Sequence, residues 1–573
     1  MSAATQGLVR LPVWRARFVL VALLAAFAVL VARSLYLQAM KTGFLQEKGE
    51  ARYSRVIEVP ATRGRIVDRH GEALAVSTPV KSIWAIPADV ELPEAKRRAL
   101  ARLLELDARE LEKRLDPARD FAYLKRQVAP DTADAVAALA IKGIYQQREY
   151  RRYYPGGEVT AHLIGFTGVD DAGQEGIELA FQSHLGGKPG SRRVIKDRLG
   201  RIVEDVESIR PGQDGANLQL SIDGKLQNLA YGALKAAVAE YRAKAGAIVA
   251  LDVQTGEILA LANVPSYNPN NRAKLTGAQL RNRVITDLFE PGSTLKPFTV
   301  ALALEAGKAT PATRIDTQGG KFTLASYTIR DVHPAPSVTL AQVIQKSSNV
   351  GAAKVALGLP RESMWDLYRR LGFGTAPELG FPGAAAGRLR PHKSWRPIEQ
   401  ATMSYGHGIS VSLIQLARAY SVFARDGELV PLTLVKTGAG ASGDKILSSE
   451  TARAVREMLE LAVQPGGTGP RARIMGWRVG GKTGTAHKQE NGGYAADKYL
   501  SSFVGIAPMS APRLVVAVMI DEPAAGRHYG GTVAAPVFAQ VMQGALRLLG
   551  VPHDAPLEPV PLPGEGEEAK EST

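Results

Sequence analysis

At 573 residues the chain is too long for one ordinary hydrophobic core and predicts two or three domains. It has no cysteine, which excludes a disulfide framework and a thiolate metal site, and its nine histidines show no H-x-x-x-H spacing, so neither a metal nor another cofactor is expected. The formal charge of +15 is spread along the chain with no zinc-finger, cold-shock or aromatic-basic signature. Nucleic acid is therefore not expected as a partner, and an anionic membrane or wall polymer is the more economical one.

In chain order, residues 1–17 carry Arg10, Arg15 and Arg17 and precede an apolar run over 18–37 interrupted only by Arg33 and Ser34. About 20 such residues span a bilayer, with Arg33 free to snorkel. The positive-inside rule keeps the N-terminus in the cytoplasm and sends the rest across. Ala26-Phe27-Ala28 mimics a signal-peptidase site, but the apolar run continues past it, which favours an uncleaved anchor.

Residues 37–53 read as a helix leaving the membrane, Val56–Pro60 as a strand, and the next segment as a hairpin turning at His70-Gly71. Residues 92–142 are charged and periodic at helical spacing. No acid–base pair stands out over 38–214, which reads as an extended, non-catalytic α+β module, a pedestal.

A second domain opens near Gly215, over 215–550. Leu218–Ile222 reads as a strand, Lys225–Arg242 as a long helix, and Ala247–Val253 with Ile258–Asn263 as an antiparallel hairpin. Strands recur at Arg478–Gly481, Ser502–Ala507 and Leu514–Ile520, before a closing helix over Ala534–Leu549. The fold class is α+β and multidomain, with the second domain's sheet assembled from both of its ends and packed with a helical cluster. Over 551–573, five prolines and five glutamates with almost no large apolar residue predict disorder.

Three short stretches carry the chemistry. Ser293 sits at the mouth of an apolar helix that runs to Gly307, and Lys296 shares its face one turn on. A buried amine there is kept partly neutral and can take the serine's proton. Taken alone, Ser293 also reads as a helix N-cap, and Ser442 with Lys445 repeats the spacing in a Gly/Ala/Ser-rich stretch. Ser347-Ser348-Asn349 ends a helical segment that opens with a Thr339-x-x-Gln342 capping box, and Lys482-Thr483-Gly484-Thr485 follows a strand. Each has decoys: Ser266-Tyr267-Asn268, Lys41-Thr42-Gly43 and Lys436-Thr437-Gly438. Only one set runs in the order Ser-x-x-Lys, Ser-x-Asn, Lys-Thr-Gly, the trio shared by penicillin-binding proteins and class A β-lactamases. Gly476 to Thr483 also matches a phosphate-binding loop, but Gly484 to Gly493 has no apolar face with which to build the helix that loop must open.

On these motifs the chain resembles the class B penicillin-binding proteins, most closely their division-specific, penicillin-binding protein 3 type. The resemblance extends to Arg63-Gly64 with Asp68, Arg69 and Gly71, to Gly173–Glu178, to Ser221-Ile222-Asp223 with Leu226-Gln227, and to Ser404-Tyr405-Gly406-His407-Gly408. Members often carry Tyr where His407 stands, and no catalytic role is attached to it.

The resemblance implies a D,D-transpeptidase acting on peptidoglycan stem peptides that end in D-Ala-D-Ala. Ser293 would be the nucleophile, Lys296 the base, Ser347 a proton relay, and Asn349 the orienter of Lys296 and of the substrate amide. Lys482 would tune both titrations and, with Thr483, Gly484 and Thr485, hold the terminal carboxylate. The N–H groups of Ser293 and Thr485 would form the oxyanion hole. β-Lactams would be inhibitors. The partners implied are a septal glycan polymerase and other division membrane proteins, with the catalytic domain on the periplasmic side of the inner membrane. A β-lactamase needs neither anchor nor pedestal, and 38–214 is too short for a glycosyltransferase. An inactive β-lactam sensor or scaffold would be expected to have lost a motif. The elongation-specific transpeptidase is the closest alternative.

Overall fold

The computed structural model describes residues 12–40, 54–196, 202–490 and 492–558. A helix over Val13–Leu35 passes into a π-helical turn at Tyr36–Met40. Among the described residues it is the one helix long and apolar enough to cross a membrane, with mean hydropathy 2.5 and no buried residue in its apolar window. The predicted continuation to Tyr53 lies mostly outside the described residues.

The chain divides into two compact units that are not consecutive in sequence. One comprises Met1–Ala61, Val80–Glu149 and Lys188–Asp214, the other Thr62–Pro79, Tyr150–Gly187 and Gly215–Thr573.

In the first unit, helices at Glu94–Leu104, Ala108–Arg114 and Pro130–Ala138 bury Leu100, Leu104, Leu111, Ala133 and Val136. The strand Ala122–Val128 adds Leu124 and Val128 to that core. Helical periodicity over 92–142 hides this strand. It exists because it pairs antiparallel with a distant segment, Trp84 opposite Tyr123 and Lys81 opposite Val128. A separate three-stranded antiparallel sheet joins Ser54–Val59, Gly190–Lys196 and Ile202–Arg210.

The second unit is built on five antiparallel strands in the order Ile258–Val264, Ala245–Asp252, Leu514–Asp521, Gly493–Ala507, Gly480–Glu490. As the sequence pattern predicts, strands from both ends of the domain interleave. The two central strands, Ala245–Asp252 and Leu514–Asp521, are buried along their whole length because both faces are covered. Period-two alternation sends Ile248, Ala250, Val516 and Val518 against Leu226, Leu234, Phe538 and Met542 of the flanking helices Gly224–Glu240 and Ala535–Leu548. Their neighbours Val249, Leu251, Val515 and Ala517 face Leu413, Leu416, Tyr420 and Phe423 of the helix Leu413–Ala424.

Several of the stretches that carried the resemblance join here as buried polar knots. Glu178, fully buried, accepts from Arg63 Nε and Arg152 Nε, each at 2.6 Å. Arg63 also donates to the carbonyls of Asp171 and Glu178 and to Gln182, so both guanidinium ends are satisfied. The Asp68 carboxylate closes the predicted turn by accepting from the N–H of His70 and Glu72, and reaches Gly224 N–H at 3.1 Å. Asp223 caps the helix Gly224–Glu240 and bonds His70 Nε2 at 2.9 Å.

The tail departs from its predicted disorder over its first residues. Trp477 Nε1 donates to the Pro552 carbonyl at 3.0 Å, and the His553 ring lies 4.0 Å from Trp477. Asp554 accepts from the N–H of Arg478 at 2.7 Å and of Ser510 at 3.1 Å. The segment has few apolar side chains of its own, but the body of the domain supplies partners for its polar groups. Residues 559–573 lie outside the described residues.

Beside the Glu178 knot, burial pushes the Asp171 carboxyl up to about 6, against the opposing pull of Arg63 and Arg152. One of its oxygens has no partner among the described residues. Between about pH 4 and pH 6 the folded protein retains a proton that the unfolded chain has released, so stability falls as pH rises through that window. Asp171→Asn is expected to gain about 1–3 kcal/mol at pH 7 and almost nothing below pH 4. Urea unfolding at both pH values checks it, and equal midpoints for the two proteins at pH 7 would mean the carboxylate is already satisfied.

Candidate active site

Ser293 lies on a 3₁₀ turn, Gly292–Leu295, that feeds directly into the helix Lys296–Glu305. With three residues per turn, positions i and i+3 are eclipsed, which stacks Lys296 over Ser293 more closely than an α-helix would. Lys296 Nζ donates to Ser293 Oγ at 2.9 Å, to Ser347 Oγ at 3.0 Å and to the Ser347 carbonyl at 2.5 Å. Lys296 is fully buried, and Ser293 and Ser347 nearly so.

The helix is fixed from several sides. Phe298 stacks on Phe423 at 5.0 Å and meets Tyr420 edge-on at 5.4 Å. Tyr420 Oη donates to the Thr294 carbonyl at 2.7 Å, and Thr299 Oγ1 to the Ser404 carbonyl at 3.1 Å. The Ser404–Gly408 loop closes onto the Ser293 turn so tightly that a Cβ on Gly406, which has φ +88°, would lie 2.2 Å from the Gly292 carbonyl oxygen. Only glycine fits there.

The capping box at Thr339 and Gln342 is present, and its helix, Leu340–Gln345, ends before Ser347. Ser347 has a left-handed backbone, φ 59°, a conformation that costs a serine about 1–2 kcal/mol and needs outside support. That support comes from Asp331, whose carboxylate accepts from Ser348 Oγ at 2.6 Å and Val350 N–H at 2.9 Å. Ser348 in turn caps the next helix, Asn349–Leu357, by accepting from Gly351 N–H. Asn349 Nδ2 donates to the Arg330 carbonyl at 3.4 Å, while its Oδ1 is buried without a partner among the described residues.

Lys482, Thr483, Gly484 and Thr485 lie within the strand Gly480–Glu490 rather than after it, paired with Val504, Phe503, Ser502 and Ser501. This also removes the phosphate-loop reading, because no helix opens at Lys482. Lys482 is fully buried and donates to Thr483 Oγ1 at 3.1 Å and Thr468 Oγ1 at 3.4 Å, and the two threonine oxygens are 2.8 Å apart. A Cβ on Gly484 would fall 2.5 Å from Ser502 Oγ and 2.9 Å from the Pro291 carbonyl, so glycine lets the strand approach the Ser293 turn. Thr485 Oγ1 accepts from Gly530 N–H at 3.0 Å.

The decoys are built differently. Lys445 Nζ bonds the Asp426 carbonyl and Ser449 Oγ, and Lys436 Nζ bonds the Arg69 carbonyl. Lys41-Thr42-Gly43 lies outside the described residues.

His407 stands 3.4 Å from the Glu290 carboxylate, which also accepts from Gly408 N–H, Gln489 and Tyr494. Burial alone would raise the Glu290 carboxyl, but His407, Gly408 and Tyr494 together hold it below the ordinary glutamate value. Asp331, Thr468 and Glu290 have no local sequence signal, since their partners Ser348, Lys482 and Gly408 lie 17, 14 and 118 positions away.

Residues 246–543 match the family model described as penicillin binding protein transpeptidase domain, and residues 58–220 match the penicillin-binding protein dimerisation domain. The chain is a penicillin-binding transpeptidase family member. It is 44% identical over 548 residues to the probable peptidoglycan D,D-transpeptidase PenA of Neisseria gonorrhoeae, covering 95% of this chain and 94% of that one. It is 43% identical over 549 residues to the peptidoglycan D,D-transpeptidase FtsI of Escherichia coli K12, covering 95% and 93%. The apo structure of the TP domain from Burkholderia pseudomallei penicillin-binding protein 3 matches with TM-score 0.55 and 53% identity, over 59% of this chain and 98% of that one. Among the penicillin-binding features, the strained serine turn has the most exacting support. Asp331→Ala is expected to lower unfolding stability by about 2–4 kcal/mol, and Asp331→Asn, which keeps one acceptor, by less. Urea unfolding of the full chain in detergent checks this, and an unchanged midpoint for the alanine variant would show that another contact holds Ser347.

Proposed function

We propose that this chain is a peptidoglycan D,D-transpeptidase that cross-links stem peptides at the division septum through a serine acyl-enzyme. The observation that carries the reading is the buried contact of one amine, Lys296 Nζ, with both Ser293 Oγ and Ser347 Oγ, at 2.9 and 3.0 Å, in a member of this family.

Burial disfavours an ammonium, so Lys296 enters the reaction as a neutral amine: its two N–H bonds serve Ser347, and the Ser293 hydroxyl turns to donate to its lone pair across the 2.9 Å contact. Ser293 Oγ attacks the carbonyl carbon between the two terminal D-alanines, and its proton passes to Lys296 Nζ. The new oxyanion is held by the N–H groups of Ser293 and Thr485, a contribution usually worth about 3–4 kcal/mol per donor. The C–N bond then breaks as a proton returns through Ser347 to the leaving amine, and D-alanine departs. An amine of a neighbouring stem attacks the ester, giving up its proton by the same route, and Ser293 is regenerated.

Lys482, Thr483 and Thr485 hold the terminal carboxylate, beside Gly484 on an edge strand whose free side suits an extended peptide. Asn349 Oδ1, buried without a protein partner among the described residues, suits a substrate amide N–H. A β-lactam presents a strained amide with a carboxylate in a similar place, which makes it an inhibitor. The helix Val13–Leu35 anchors the chain in the inner membrane with the N-terminus in the cytoplasm and the catalytic residues in the periplasm. Residues 38–214, of which 62–79 and 150–187 fold with the transpeptidase domain at 215–550, serve as a non-catalytic pedestal. The septal assignment is supported by the likeness of residues 73–87 and of Phe166-Thr167-Gly168 to the division-specific type, and it implies a septal glycan polymerase as membrane partner.

Fluorescent penicillin is expected to acylate the full chain at Ser293, seen as one adduct by intact mass and peptide mapping. Lys296→Ala should lose acylation by a factor of about 1,000 or more with its fold retained. An adduct at Ser442, or a Lys296→Ala variant that acylates at the parent rate, would overturn the assignment. Depletion in a rod-shaped native host is expected to give long filaments with segregated nucleoids and missing septa. Rounded cells that still divide would assign the protein to elongation instead.

A further inference from the structure

Thr468 lies in the Gly466–Gly469 turn beyond the helix Ser449–Val463, and only 2% of its surface is exposed. Its hydroxyl touches both Lys482 Nζ, at 3.4 Å, and Thr483 Oγ1, at 2.8 Å. A hydroxyl has one hydrogen and two lone pairs. Lys482 Nζ donates to the oxygens of both threonines, using one lone pair on each.

The bond between the two threonines can therefore run in either sense. If Thr483 donates to Thr468, Thr483 turns a lone pair outward, where it repels an anion. If Thr468 donates to Thr483, both Thr483 lone pairs are occupied and its hydrogen is the only valence left for a further partner. We infer that Thr468 is a positioning residue that, by donating to Thr483, leaves the Thr483 hydroxyl only its hydrogen to offer, and so sets the preference of this site for a substrate ending in a free carboxylate. The inference rests on the proposed reading of Ser293 and of the Lys482–Thr485 strand. It adds that carboxylate selectivity depends on a residue of another element, outside the three motifs.

The test uses the full chain in detergent with two acyl donors, N-benzoyl-D-alanyl thioglycolate and its methyl ester, followed by thiol release. Thr468→Val keeps shape and removes the hydroxyl, and Thr468→Ser restores the hydroxyl without the methyl. The valine variant is expected to lose about ten-fold or more in kcat/KM for the free acid, chiefly through KM, with the ester changed less than about three-fold, and the serine variant to regain the acid preference. Should the valine variant fail to fold, the acid-to-ester ratios of Thr468→Ala and Thr468→Ser decide the question. A folded valine or alanine variant that slows both donors equally, or keeps the parent's acid preference, overturns the inference while leaving the proposed function intact. A parent protein that neither donor acylates at Ser293 overturns the proposed function, and this inference with it.

Discussion

The site depends on burying one amine, Lys296, where two hydroxyls and a carbonyl meet it. Holding a lysine out of water costs several kcal/mol unless its surroundings are fixed before it arrives. The 3₁₀ turn at Gly292–Leu295 sets the serine, the aromatic stack around Phe298 sets the helix, and the left-handed Ser347 turns both its hydroxyl and its carbonyl toward the amine. Relaxing any of these would let the lysine swing out to water, and the three-way contact would be lost before the fold was.

Packing follows from this need. The edge strand Gly480–Glu490 must come close to the Ser293 turn, so glycine is required at 484. The Ser404–Gly408 loop must close from another side, so glycine is required at 406. Asp331 and Thr468 act one layer further out. Asp331 holds a strained turn in place, and Thr468 contacts two side chains whose strand it does not share. The Glu178 knot is separate, with two guanidinium groups sharing one buried carboxylate in a second region of the same unit.

Much of this was legible in the sequence because the motif residues sit on locally patterned elements. A helix mouth, a capping box and an apolar strand each leave a period or a spacing that can be read without the fold. The two-ended sheet was legible for the same reason, since its central strands are runs of Val, Ile, Leu and Ala. What was hidden is tertiary. The strand Ala122–Val128 carries Lys125, Arg126 and Gln127 and is defined by its pairing partner. Strand character continues through Lys482-Thr483-Gly484, where the poor β-formers Lys482 and Gly484 are held by pairing with Val504 and Ser502 alongside. Asp331 and Thr468 lie in turns with no period at all. The docking of Pro552–Asp554 depends on Trp477 and the strand entry it covers, which composition of the tail cannot reveal.

The interleaved strand order has a consequence for biogenesis. A ribosome delivers the hairpin of Ala245–Val264 and the nucleophile helix early, but the strand that lies next to that hairpin, Leu514–Asp521, comes almost last. Long-range pairings of this kind are slow to form because loop closure precedes any gain from contact. Until that strand arrives, Gly480–Glu490 and Gly493–Ala507 have no sheet to join, and Lys482 has no fixed position relative to Ser293. A chain that stops before Leu514 thus carries Ser293 without the completed sheet that positions Lys482.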